Sequence, residues 1–174
     1  MPPRDRSRDD LIIDHPNREK AGSKATKAGV ILLLLASTAL LVIISVGGWE
    51  KLAGAKPVQV AYILLYLTLA FFVARWSRGV LPVAAAFAII LLIFAAVSAP
   101  GWYDRQKPGF EATTLPPELL GLLCLVLIPV QILLIAFAAR GFQQAWNVEV
   151  ERPPDDDRSS REGGERPGAI AAPA

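Results

Sequence analysis

Four stretches of this chain carry no charged residue at all: residues 28–49, 57–74, 79–103 and 119–139. Few features constrain a fold more. An α-helix rises about 1.5 Å per residue, so about 20 apolar residues reach across the hydrocarbon core of a bilayer. Backbone N–H and C=O groups find no water there, and a helix satisfies them within the segment itself. Each run is therefore expected to be a membrane-crossing helix.

A tryptophan stands at or just beyond the end of each run: Trp49, Trp76, Trp102 and Trp146. An indole ring is apolar but its N–H wants a polar partner, so it favours the membrane–water boundary. The four positions read as interfacial anchors. They place a transmembrane domain at residues 28–146, with crossings at about 28–49, 57–76, 79–102 and 119–140. A polar N-terminal tail, 1–27, and a C-terminal tail, 147–174, flank it. The first run resembles a secretory signal in its apolarity, but a signal core is typically about 7–15 residues, so an uncleaved helix is expected.

The chain is 53% hydrophobic, with mean hydropathy +0.40, yet 20% of its residues are charged. Those charges are crowded into the two tails and three connections, which leaves one membrane domain between them. The C-terminal tail is rich in Pro, Gly and mixed charge, including Asp155–Asp157. It lacks the apolar content for a core and is expected to be disordered. Adjacent carboxylates in such a segment make a poor cation site, and no metal is expected.

Lys and Arg near crossings stay on the cytoplasmic side. Fourteen of the 18 fall in the N-terminal tail, in the second connection or from Arg140 onward, and the remaining four, Lys51, Lys56, Arg105 and Lys107, fall in the first and third connections. Both termini are expected inside, in a multi-pass protein of the cell's inner (plasma) membrane. Short connections make consecutive helices antiparallel neighbours. The expected fold is all-α: an antiparallel four-helix transmembrane bundle with polar tails.

The chemical inventory points away from an enzyme. The only cysteine, Cys124, precludes an intrachain disulfide and a multi-cysteine metal site. The only histidine, His15, lies in the N-terminal tail, so no crossing offers an axial haem ligand or a zinc-protease set. No crossing holds the buried carboxylate that proton-coupled export of a cation would use. No phosphate loop or nucleophile elbow occurs. Basic residues are interleaved with acids, so nucleic acid is an improbable partner. No cofactor is expected.

The polar residues within crossings are mild. Gln59, Tyr62 and Tyr66 fall near one face of the second helix, and Gln131 lies mid-way along the fourth, just after Pro129. These four are candidate intramembrane polar contacts, either between helices or to a ligand or second subunit. Pro129 should bend its helix, and Pro100–Gly101 should end or distort the third. The third helix also carries a small-residue stripe, Ala84, Ala88, Ala95 and Ala99, suited to close helix packing or self-association. The partners expected are the lipid bilayer and either a homo-oligomer or another membrane protein. Two functions stay open: a non-enzymatic accessory or assembly subunit that binds another membrane component, and a protomer of an oligomeric transporter or channel.

Overall fold

A computed structural model describes residues 12–105, 107 and 113–152. Outside them lie residues 1–11 of the N-terminal tail, residues 106 and 108–112 of the third connection, and the tail beyond 152 with Asp155–Asp157. In chain order the elements are β1 (Ile12–Asp14), α1 (Pro16–Glu19), α2 (Ala21–Gly47), two short 3-10 turns (Trp49–Lys51 and Ala53–Ala55), α3 (Lys56–Ala74), α4 (Val80–Asp104), α5 (Pro117–Gln143) and β2 (Val150–Arg152). They fall into two units. In the smaller, β1 and β2 pair antiparallel, with Ile13 opposite Glu151. The larger, Asn17–Asn147, contains the four long helices.

Helices α2 to α5 are each long and apolar enough to cross a bilayer, and the chain is a four-span membrane protein. Their outward surface is as apolar as their inner one. Leu32 is 66% exposed and Val97 73%. In water so continuous an apolar surface would drive association; in lipid it is simply the solvent-facing side. The inner side holds two clusters: a larger one built from Val30, Leu34 and Leu41 of α2, Tyr66 and Val73 of α3, Leu81 and Leu91 of α4, and Leu127 and Leu134 of α5, and a smaller one of Ile44, Ala99, Trp102, Leu120 and Cys124.

Local sequence explains where the helices begin and end. Pro57 and Pro117 sit in first turns, where a missing N–H loses no bond. A non-helical ψ of 131° at Lys20 separates α1 from α2, so the lead-in does not run unbroken into the first crossing. Pro100 does not end α4, which continues to Asp104. It costs one hydrogen bond in a near-terminal turn, where water can replace the loss. Helix α3 closes with the Ser77 N–H donating to the Phe72 carbonyl and the Trp76 N–H to that of Val73. That pair of bonds requires a left-handed residue between them, usually glycine. Here it is Trp76, with φ 62°.

Going round the bundle, the helices follow the order α3, α2, α5, α4. Three of the seams are closed. The fourth, between α4 and α3, is not: these two helices are joined by a short link yet barely touch. The antiparallel topology expected from short links holds, but close packing along the whole of that pair does not. The reason is the choice of side chains. Tyr62 on α3 meets Phe87 and Phe94 of α4 edge-on, at 6.0 and 6.3 Å between ring centres. Aromatic rings at that spacing hold two backbones apart.

Candidate functional site

The polar residues of the crossings assemble into two sites. The first is a buried node in the middle of the bundle. The Tyr66 hydroxyl donates to Gln131 Oε1 at 2.9 Å, and Gln131 Nε2 donates to Ser37 Oγ at 2.8 Å. Ser37 in turn donates to the Leu33 carbonyl of its own helix at 2.8 Å. Tyr66, Gln131 and Ser37 are each fully buried. The node ties α2, α3 and α5 together, and each donor and acceptor used in it is matched. A bilayer offers no alternative partner, which is why one amide recruits two neighbours.

Ser37 is the member that sequence reasoning missed. Its signal was present: it shares a helical face with Val30, Leu34 and Leu41, all buried. Thr26, Thr38 and Ser45 on α2 likewise donate to carbonyls one turn back, at 2.8, 2.9 and 2.6 Å. Such back-bonding lets a hydroxyl sit in an apolar interior without an outside partner.

The second site is a cleft at the open α3–α4 seam, toward the end carrying the first and third connections. Two adjoining cavities of about 280 and 270 Å³ share Leu41, Ala55, Gln59, Leu91, Phe94 and Ser98 as lining. Lys51 and Arg105 line the first, Tyr62 the second. Gln59 also meets the Ser45 hydroxyl of α2. Thus Gln59 and Tyr62 line the cleft, while Tyr66 and Gln131 belong to the node. Tyr62 and Tyr66 touch edge-on at 5.9 Å and so connect the two sites.

The other residues singled out from sequence fall as follows. Ala84, Ala88, Ala95 and Ala99 are all buried, on a helix whose packing is chiefly with α5. The tryptophans pair by end. Trp76 and Trp146 meet edge-on at 5.3 Å, and the Lys27 ammonium lies 4.1 Å from the Trp76 ring centre. At the opposite end, Trp49 is exposed, with the Lys56 ammonium 5.0 Å over its ring. Trp102 is buried and packs so close to Gly48 that a Cβ there would fall 2.5 Å from the ring.

Basic and amide side chains cap the Trp146 end. A helix leaves its last carbonyls without partners. Arg78 Nε donates to the Phe142 carbonyl at 2.8 Å, and Arg78 reaches Asn147 Oδ1 at 3.1 Å. Beyond the helix, Asn17 Nδ2 donates to the Ala145 carbonyl at 3.1 Å and Arg18 Nε to that of Trp146 at 2.9 Å. Arg18 and Arg78, counted above among the flanking cations, here bind backbone carbonyls.

Among the described residues no group of three or more His, Cys, Asp or Glu side chains is placed to hold a metal. No protein-family model, curated protein or solved structure matches this chain.

Proposed function

We propose that this is a non-enzymatic accessory protein of the inner (plasma) membrane, which binds another membrane component through the α3–α4 cleft. The observation that carries the reading is the contrast in polar partners. At the centre, Gln131 is consumed by Tyr66 and Ser37 within the bundle. At the cleft, half-buried Gln59, whose Oε1 accepts from Ser45, and exposed Ser98 line a space open to the membrane. The first arrangement holds the protein together; the second presents hydrogen-bonding groups to a visitor. The distribution of Lys and Arg supports cytoplasmic termini, which puts the cleft toward the outer face.

The test is site-specific photo-cross-linking in native membranes. A compact alkyl-diazirine amino acid in place of Ser98 should yield adducts of a single membrane component. The same group in place of Leu64, 60% exposed on the outer side of α3, should yield only heterogeneous lipid products. Indistinguishable products from both positions would overturn the cleft as a binding element. Solute flux in liposomes that Gln131→Leu abolishes would overturn the accessory role in favour of an oligomeric transporter. Reporter fusions at the two termini check the orientation, and both should be active on the cytoplasmic side.

A further inference from the structure

The chemistry of the α3–α4 cleft changes in layers with depth. At its mouth stand two cations, Lys51 and Arg105, both half-buried. About 10 Å further in, two turns down α4, comes Ser98, with Gln59 across from it on α3. Below these lie Leu41, Leu91 and the rings of Tyr62 and Phe94. From Arg105 to Leu91 the α4 wall is about 21 Å long. Positive charge, then hydrogen-bonding groups, then hydrocarbon is the complement of an anionic glycerophospholipid read from phosphate through ester to acyl chain.

Resting on the cleft reading above, we infer that the membrane component held there is an anionic glycerophospholipid. Its phosphate lies between Lys51 and Arg105, its ester region meets Gln59 and Ser98, and one acyl chain follows α4 past Phe94 to Leu91. A partner's transmembrane helix suits the space poorly. A helix with its side chains is about 10–12 Å across, so it would lie against the mouth of the cleft and leave the floor at Leu41 and Leu91 uncovered. The charge at the mouth also selects against a zwitterionic headgroup, since each basic residue near a membrane surface favours anionic lipid by about five-fold.

Native mass spectrometry of the full-length chain tests this, after equilibration in detergent with phosphatidylglycerol and phosphatidylcholine of matched acyl chains. One phosphatidylglycerol should be retained per chain in preference to phosphatidylcholine. Replacing both cations, Lys51→Gln with Arg105→Gln, should cut that preference by at least about five-fold. Ser98→Trp, at an exposed position inside the cleft, should abolish retention of either lipid, whereas Leu64→Trp should leave it intact. Equal retention of the two lipids, or no effect of the double substitution, overturns the anionic-lipid inference and leaves the cleft as a binding element. Retention that survives Ser98→Trp overturns both. A dimer that dissociates on Ser98→Trp would make the occupant a second copy and overturn the lipid inference alone.

Discussion

The two seams of α4 are built on opposite principles. Toward α5 it offers alanine after alanine, and α5 answers with Gly121, where a Cβ would fall 2.8 Å from the Tyr103 ring. Small residues let backbones approach, and in lipid that approach is the main source of attraction between helices. Toward α3 it offers Phe87 and Phe94, which meet Tyr62. Large rings contact early and leave space beside them. One helix thus carries a face for joining and a face for keeping a distance, and only the second leaves room for something else. Helix length and hydropathy do not separate sealed from open seams, since α3, the shortest and least apolar of the four, is sealed against α2 and open against α4; residue size does.

Four substitutions break or sharpen that contrast. The largest expected effect is Ala88→Leu, which forces a branched side chain into a fully buried alanine site. Overpacking of this kind costs about 1–3 kcal/mol, and the midpoint of unfolding in mixed detergent should fall accordingly. Next is Tyr62→Leu. It replaces the edge contacts to Phe87, Phe94 and Tyr66 by aliphatic ones, and because coupled contacts do not add, the net loss should be about 0.5–1.5 kcal/mol. Its diagnostic readout is geometric: spin labels on the outer sides of α3 and α4 should move closer as the prop disappears. Gln131→Leu should cost about 1 kcal/mol or less, because interhelical hydrogen bonds in membranes are individually weak. Ser98→Leu, at an exposed position on the open seam, should change stability by less than about 0.5 kcal/mol. If Ser98→Leu destabilised as much as Ala88→Leu, the two seams would not differ in the way described.

Much of this architecture can be read in the residues before any coordinate is known. Charge-free length sets the number and rough extent of the crossings, because desolvation of a charge dominates every other local preference. The need of Gln131 for a partner is equally legible. Its partners are not, since Ser37 and Tyr66 lie on helices whose rotation about their own axes is fixed by packing. The alanine stripe announces a close contact without naming the neighbour, so nothing in α4 alone says that α5 takes it and α3 is held off. The tryptophans make the same point. Boundary preference sets depth but not direction, and depth alone does not distinguish Trp49, 45% exposed, from Trp146, fully buried.

The Trp76 end carries its own tension. A left-handed backbone costs a non-glycine residue about 1–2 kcal/mol, and the ring is held by Trp146 and by the Lys27 ammonium. That position trades conformational ease for an aromatic contact.

The back-bonded hydroxyls of α2 bear on biogenesis. The first span leaves the ribosome long before the α5 amide that will contact it has been translated. During that interval Ser37 already has an acceptor one turn behind it, in its own helix. Residues 21–47 should consequently enter a bilayer alone through the translocon, with glycosylation-site mapping as the readout, and wait there for the last span to arrive.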